Sequence, residues 1–227
     1  MTWPAPLNQL LSRSGSPTPS MPAGLSRVVH RACTALGAPA EGDPAAWRAE
    51  MAALAVYAAE TPAGQSVVQL TAGDGRAAAA LAAGTSFARR SAVWTIDSFS
   101  AAGATEATQA PLHRALAATG LGRHVVPVTA GPTAAAGAWD GSPIGLLVLD
   151  AAAGVATSMS AYAAWSKHLA DASRVIFAGS VNEQAASRLW GGSLEPLFGL
   201  GGLRVCGHHA LPAVAAAQAN PPLRRAA

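Results

Sequence analysis

The sequence is poor in charged residues and in aromatic rings. Charged residues make up 12% of its 227 residues and aromatic residues 5%, whereas 51% are apolar. Alanine, leucine and valine must therefore supply most of a sizeable core. The formal charge is +3 and the pI is near 9.4, and nearly all the basic residues are arginines scattered along the chain. Because they form no basic stripe interleaved with aromatics, nucleic acid is not expected as a partner.

Cysteines, a secretory leader and long apolar runs are also scarce or missing. Cys33 and Cys206 match no metal or redox spacing, so two reduced, buried thiols are expected. The N-terminus has no basic region followed by an apolar stretch, and no run of about 20 apolar residues occurs. These absences predict a soluble, cytoplasmic protein with no membrane partner.

Composition along the chain predicts one main domain with additions at both ends. The expected segments are a flexible Pro/Ser-rich arm (1–24), N-terminal helices packed on the core (25–62), an α/β domain (63–218) and a frayed tail (219–227). Asp43 and Pro44 read as the cap and first residue of the second helix, which should end near Thr61. The two helices are expected to cover the first edge or the mouth of the sheet.

Within the main domain, apolar runs alternate with helical patterns. Strands are predicted at 67–71, 93–97, 125–129, 144–150 and 174–178, and helices at 76–83, 106–118, 133–138, 158–169 and 182–190. A closing hairpin is predicted from 203–206 and 211–216 across a Gly-His-His segment. Continuous apolar strands are typical of a parallel sheet covered on both faces. The predicted fold is α/β, a Rossmann-like, doubly wound, mostly parallel sheet of seven strands.

The first strand leads into a glycine turn, and the second ends on an acid. Gly73 and Gly75 open directly into the alanine-rich helix, whose free N–H groups would face a cleft. Asp97 ends the second strand, where a carboxylate can hold the two hydroxyls of a ribose. This pairing predicts a nucleoside-cofactor site. The alternatives are an ordinary turn without a ligand and an Asp97 that only caps a helix starting near Ser98.

The order of these pieces resembles the class I S-adenosylmethionine-dependent methyltransferases. More narrowly, it resembles their small-molecule O-methyltransferase-like and cephalosporin-hydroxylase-like branch, over residues 64–217. The segments that carry the likeness are VQLTAGDGR (68–76), WTIDSF (94–99), GLLVLD (145–150), and YAAWSKHL (162–169) followed by RVIFAG (174–179). They match the family's first motif, second-strand segment, fourth-strand motif, and the helix and fifth strand that follow.

The resemblance implies S-adenosyl-L-methionine as the cofactor and proposes residues that hold it. The cofactor-binding candidates are Gln69, Thr71, Gly73, Gly75, Asp97, Ser98, Ala130, Gly131 and Asp150. Asp97 would hold the ribose, and the turn containing Ala130 and Gly131 would lie at the adenine edge. Asp150 and His113 are the catalytic candidates, Asp150 near the methyl group or orienting the accepting hydroxyl.

Two departures from the family's first motif put the activity in question. Gln69 replaces an acid; it can hydrogen-bond the cofactor's amino group but cannot neutralise its charge. Thr71 replaces the first glycine and places a β-branched side chain where the backbone passes close to the ligand. Residues 151–154 and Ser180 also lack the ligands of the metal-dependent branch, so no metal site is predicted.

The histidines offer no clear general base, and each is more often a surface residue than a catalytic one. His113 should lie near the cleft mouth, and His208 and His209 on the same rim. His124 should lie at the opposite end of the sheet, and His168 near a helix end. Trp165 is expected in the core.

Three functions remain open at this point. The first is metal-independent methyl transfer to a small-molecule acceptor, by a possible homodimer. The second is a catalytically degenerate relative, a pseudoenzyme that serves as a binding or assembly partner. The third, a nicotinamide-dependent oxidoreductase, is disfavoured because residues 71–76 lack the three-glycine spacing that brings a pyrophosphate close to the backbone.

Overall fold

The structure, a computed structural model, describes residues 21–90, 92–99, 106–150, 154–179, 194–200 and 202–208. Its α-helices are α1 (Ala23–Leu36), α2 (Pro44–Glu60), α3 (Arg76–Phe87), α4 (Glu106–Thr119), α5 (Pro132–Gly137) and α6 (Val155–Trp165). Its strands are β1 (Ser66–Leu70), β2 (Val93–Asp97), β3 (Val125–Thr129), β4 (Ile144–Asp150), β5 (Leu169–Ala178), β6 (Leu194–Leu200) and β7 (Leu203–His208). The five strands predicted from apolar runs are all present.

The strands form one sheet in the order β3-β2-β1-β4-β5-β7-β6. Strands β1 to β5 pair in parallel, and β7 runs antiparallel to both of its neighbours. This is the doubly wound, mostly parallel, seven-stranded sheet that the sequence predicts. The order reverses between β1 and β4, and folds of this kind bind ligands beyond the carboxyl ends of the strands at such a switch point.

Successive residues of each strand point to opposite faces, so the sheet has a core on each side. Residues such as Val67 and Ile176 pack with α1 to α4, and residues such as Val68 and Phe177 pack with α5 and α6. Cys33 and Cys206 are buried free thiols, one in each core, as expected. None of the helices in the described ranges has the length and apolarity that a membrane crossing requires.

The two N-terminal helices form as predicted and belong to the main core. Pro44 is the first residue of α2, and the Asp43 carboxylate accepts a hydrogen bond of 2.9 Å from the Ala45 N–H. Both helices pack on α3 and so lie over one face of the sheet. Helix α1 begins at Ala23, inside the segment assigned to the arm. Residues 1–20 and 209–227 lie outside the described ranges.

Strand β5 starts earlier than predicted, at Leu169 in place of Arg174. Its first residues pass through a register shift against β4, and Ala172 has a φ of +59°. The segment 170–173 is therefore irregular and only partly apolar, so it lacked a strand pattern. Helix α6 correspondingly ends at Trp165, with a single 3-10 turn before the strand.

The predicted closing hairpin is wrong. Strand β7 continues through the first two residues of the Gly-His-His segment, to His208, and its hairpin partner is the preceding strand β6. Strand β6 contains Pro196 and a register shift, which an edge strand tolerates and an apolar-run search misses. Residues 182–190 and 211–216, predicted as a helix and a strand, lie outside the described ranges.

Candidate functional site

Three residues of the candidate site lie side by side at the carboxyl edge of the sheet. In β1, Leu70 pairs with Ile96 of β2 and with Leu149 of β4. The residues that follow these three are Thr71, Asp97 and Asp150. Since neighbouring strands are about 4.8 Å apart, the Cα atoms of Asp97 and Asp150 flank β1 at a separation of about 10 Å. The two acids thus border the switch point between β1 and β4.

The Asp97 carboxylate is bound to the glycine turn. Its Oδ2 accepts a hydrogen bond of 2.8 Å from the Ala72 N–H, and its Oδ1 accepts one of 2.9 Å from the Phe99 N–H. Its backbone carbonyl accepts a bond of 3.0 Å from the Ala130 N–H. Ser98 and Phe99 are not helical, so Asp97 caps no helix that starts there. Each carboxylate oxygen keeps a lone pair that could accept a ribose hydroxyl.

The two glycines of the turn have different roles. Both have positive φ, +54° at Gly73 and +83° at Gly75, a conformation that favours glycine. A Cβ atom at Gly75 would lie 2.7 Å from the Cα of Leu112, so this glycine lets α4 pack on the turn. A Cβ atom at Gly73 would meet nothing within 4 Å. The turn is therefore open at Gly73, where a ligand would need room.

Thr71 and Gln69, which depart from the family's motif, are coupled to each other. Thr71 has a φ of +77°, so a β-branched residue takes a left-handed backbone conformation that favours glycine. The Gln69 amide donates from Nε2 to the Thr71 carbonyl at 3.0 Å, and its Oε1 accepts from the Thr95 hydroxyl at 3.3 Å. Gln69 is 4% exposed. Its amide therefore supports the turn from beneath, with both polar atoms in hydrogen bonds within the protein.

Asp150 ends β4 with a half-buried side chain and lies beside Ala178 at the end of β5. Its carbonyl accepts a hydrogen bond of 3.1 Å from the Ser158 hydroxyl, which ties the strand end to α6. Ser98 and Gly131 are half-buried at the same edge, beyond β2 and β3. The structure thus places the predicted cofactor-binding residues along one edge of four adjacent strands.

The structure places His113, the other catalytic candidate, on the β3 side of the cleft. Its exposed imidazole Nε2 is 3.2 Å from the Gln109 Oε1, and the Gln109 Nε2 donates to the Thr129 hydroxyl at 3.0 Å. Thr129 is paired with Asp97 of β2, and its own strand, β3, is three strands away from β4, which carries Asp150. That corresponds to about 14 Å between the Cα atoms of Thr129 and Asp150. His113 and Asp150 therefore lie on opposite sides of the switch point.

The placement of His208 on this rim is a wrong prediction. Gly207 pairs with Arg174 near the amino end of the regular part of β5, so His208 lies at the opposite edge. Its imidazole is buried, with Nδ1 3.0 Å from the Tyr162 hydroxyl. The misplacement follows directly from the wrong hairpin. His209 lies outside the described ranges.

Two other histidines and Trp165 lie where they were expected. His124 precedes β3 at the opposite edge, and its pKa is lowered by burial and by the Arg123 charge. His168 follows α6, and its Nε2 is 2.8 Å from the Ala136 carbonyl oxygen. Trp165 is fully buried, as predicted for a core residue.

Sequence reasoning missed two residues that α2 brings to the same rim. The Glu50 Oε1 accepts a hydrogen bond of 2.6 Å from the Gly202 N–H at the tip of the β6–β7 hairpin. The Trp47 ring, one helical turn earlier, lies under the Arg76 guanidinium at 5.7 Å. No local pattern marks Glu50, because its partner is 152 residues away. Across the ranges that the structure describes, no three His, Cys, Asp or Glu residues group closely enough to hold a metal ion.

Comparison with solved structures identifies the class of fold. A provisionally assigned O-methyltransferase from Klebsiella pneumoniae is similar with a TM-score of 0.56 at 14% identity, over 92% of this chain and 98% of that one. The O-methyltransferase TomG from Streptomyces achromogenes, solved with SAM, gives 0.54 at 13%, over 90% and 99%. The cofactor-bound protein Rv0187 from MTB gives 0.56 at 15%, over 91% and 99%.

The chain therefore has the Rossmann-like fold of the class I methyltransferases, which confirms the fold that the resemblance implies. No family model and no curated protein matches its sequence. At 13% to 15% identity the likeness establishes the architecture, and the chemistry has to be argued from the site itself.

Proposed function

We propose that this protein binds S-adenosylmethionine and transfers its methyl group, without a metal ion, to a small-molecule acceptor. The observation that carries the proposal is the hydrogen bond between the Asp97 carboxylate and the Ala72 N–H. It joins the end of β2 to the first-motif turn at the switch point of the sheet. The structures of TomG with SAM and of cofactor-bound Rv0187 support the proposal by their shared fold.

The residues present fit the nucleoside part of this cofactor better than its methionine part. Asp97 would accept the ribose hydroxyls, and the open space at Gly73 would let the backbone approach the ligand. Ala130 and Gly131 would border the adenine. On the methionine side, Gln69 is neutral and turned inward. The carboxylates described beyond β1 and β4 are Asp74, which is paired with Arg76, and Asp150.

The bound cofactor would supply an activated methyl group. The protein's own contribution would then be mainly positional, since the acceptor has to lie in line with the methyl group. Asp150 would orient the accepting hydroxyl, and the rim beyond β4 and β5 would hold the rest of the acceptor. His113, on the β3 side, would contact the nucleoside end and take no proton from an acceptor beside Asp150.

A second candidate function, binding or assembly without catalysis, is favoured by one specific observation. Thr71 holds a strained backbone beside the ligand space, and its carbonyl is bound by Gln69. A degenerate first motif that has lost its acid and its first glycine could keep this architecture without binding the cofactor tightly.

Calorimetric titration with S-adenosylmethionine, its demethylated product and NAD separates the candidates. We expect both methionine-derived ligands to bind, and Asp97→Ala to weaken binding by about tenfold or more, because charge-assisted hydrogen bonds are lost. Asp171→Ala, at an exposed residue of β5, is the matched control and should leave affinity unchanged. Thermal denaturation of both variants would check that they remain folded.

Two outcomes would contradict the proposal. A folded wild-type protein that binds neither methionine-derived ligand would favour the second function. Binding of NAD alone would favour the oxidoreductase.

A further inference from the structure

Helix α2 contacts the rim of the sheet at two points. Trp47 lies against Arg76 at the start of α3, and Glu50, one turn later, binds Gly202 at the hairpin tip. The first half of α2 therefore connects the glycine-turn helix to the far hairpin. Between these two contacts lie the ends of β4 and β5.

Gly202 links Glu50 to the end of β5. A Cβ atom at Gly202 would lie 3.4 Å from the Glu50 Oε1 and 3.7 Å from the Cα of Gly179. Gly179 directly follows Ala178, which pairs with Asp150 in β4. Glu50, Gly202, Gly179 and Asp150 therefore form a continuous row along the carboxyl edge.

The row lies on one face of the sheet. Leu149 packs in the core with α5 and α6, so the alternation of strand residues directs Asp150 toward the other face. Ala178 packs in the core with α1 to α4, as do Leu200 and Leu203 on either side of the hairpin tip. Glu50 approaches Gly202 from this same side.

We propose that Glu50 is a positioning residue for the acceptor side of the cleft. Through Gly202, its carboxylate holds the tip of the β6–β7 hairpin against the end of β5, beside Asp150. This inference rests on the proposed function, under which the methyl acceptor would lie against that wall. Glu50 would act through the hairpin and would not itself touch the reacting atoms.

The charge on Glu50 makes this contact sensitive to pH. Burial raises the pKa of Glu50, and the hydrogen bond from Gly202 lowers it. Titratable and charged groups on its own helix are Arg48 and Glu60, and those on helix α1, packed against it, are Arg27, His30 and Arg31. Others lie at the start of α3 (Asp74, Arg76), in β4 and β5 (Asp150, Asp171, Arg174) and in the hairpin (Glu195, Arg204). None of these charges is among the causes of its pKa shift. As the pH falls through the raised pKa, a charge-assisted hydrogen bond becomes a neutral one.

Amide hydrogen exchange resolved by NMR tests the proposal. In Glu50→Gln we expect the Gly202 amide to exchange about tenfold faster, because a neutral acceptor replaces a charged one. The resonances of Gly179 should shift with it, and the Ala72 amide, held by Asp97, should not change. Glu60→Gln is the matched control, since Glu60 is the last residue of the same helix, and its pKa is also raised by burial.

A pH titration of the wild type supplies a second, independent measurement. The protection of Gly202, after correction for intrinsic exchange, should fall at low pH to the level of Glu50→Gln, which itself should show no such step. The proposal is overturned if Gly202 exchanges equally in wild type and Glu50→Gln, if Gly179 does not respond, or if Glu60→Gln has the same effect.

Calorimetry distinguishes failure of this inference from failure of the proposed function. We expect Glu50→Gln to bind S-adenosylmethionine within about twofold of wild type, because Asp97 and the glycine turn are unchanged. A wild type that does not bind the cofactor contradicts the proposed function. Intact cofactor binding with an unresponsive Gly179 contradicts only the role of Glu50.

Discussion

Replacing Thr71 with glycine should stabilise the protein. Thr71 has a φ of +77° immediately after β1, in the region that L-residues avoid and β-branched residues avoid most. Its N–H donates to the Ile96 carbonyl at 2.8 Å and its carbonyl accepts from Gln69, so the neighbouring strand and side chain hold it in this conformation. Glycine would keep both backbone hydrogen bonds and remove the clash of the side chain with its own backbone.

The expected gain is the difference between two effects. Holding an L-residue in the left-handed region costs about 1–2 kcal/mol. The extra conformational freedom of glycine in the unfolded chain reduces this gain in the free energy of unfolding by about 0.5–1 kcal/mol. The net stabilisation should be about 1 kcal/mol, which corresponds to a rise in Tm of about 2–4 °C for a domain of this size.

Differential scanning calorimetry of wild type, Thr71→Gly and Thr71→Ala measures this effect. Thr71→Ala is the matched control, because it keeps the Cβ atom and hence most of the strain, so its Tm should change little. A Thr71→Gly protein with a Tm equal to or below that of Thr71→Ala would refute the strain argument. Under the proposed function, Thr71→Gly should also bind S-adenosylmethionine more tightly, since it removes a side chain next to the ligand.

Three further measurements test other features of the structure. In chemical denaturation, Gly75→Ala should lower the free energy of unfolding by about 3 kcal/mol, because the new Cβ atom would meet α4. Gly73→Ala, with open space around it, should lower it by only about 1 kcal/mol. Similar losses in the two variants would contradict the different packing of the two glycines. Burial raises the pKa of Cys206 to about 12 and also raises that of Cys33. Neither thiol should therefore react quickly with a thiol reagent at pH 8 until the protein is unfolded in urea. Fast labelling of the native protein would disprove their burial. Burial also raises the pKa of Glu60 from 4.5, so as the pH falls the folded protein binds a proton at Glu60 before the unfolded chain does. The contribution of protonated Glu60 to the free energy of unfolding is therefore largest below pH 4.5 and is lost as the pH rises through the raised pKa. Glu60→Gln should flatten that part of the stability–pH curve, and an unchanged slope would exclude this assignment.

Much of the fold is predictable because its signals are local. Strands β1 to β4 are apolar runs within one residue of their observed bounds, and α2 begins at a cap and a proline that are adjacent in sequence. The same locality explains the errors. Strand β6 is an edge strand with a proline and a register shift, and the start of β5 is irregular, so neither has the pattern of a buried parallel strand.

The residues of the candidate site likewise fall into those that local sequence signals predict and those that depend on long-range contacts. Asp97 and the glycine turn were predicted together because each lies at the carboxyl end of a strand of a parallel sheet, and such ends meet at one edge. Glu50 was missed because its contact with Gly202 depends on how α2 lies across the sheet, which no local pattern encodes. The inward orientation of Gln69 depends on a hydrogen bond to Thr95 in the next strand, and its sequence position alone does not determine it.

The close contact between α2 and α3 determines how near α2 lies to the rim of the sheet. A side chain at Gly84 would collide with the carbonyl oxygen of Ala55 and would lie 2.9 Å from the Cβ of Ala58, so the two helices meet almost backbone to backbone. A valine at Ala58 would push α2 outward and carry Trp47 and Glu50 away from the rim, although Ala58 is not near the glycine turn. The position of these two rim residues is thus controlled at a distance, by small residues at the contact between α2 and α3.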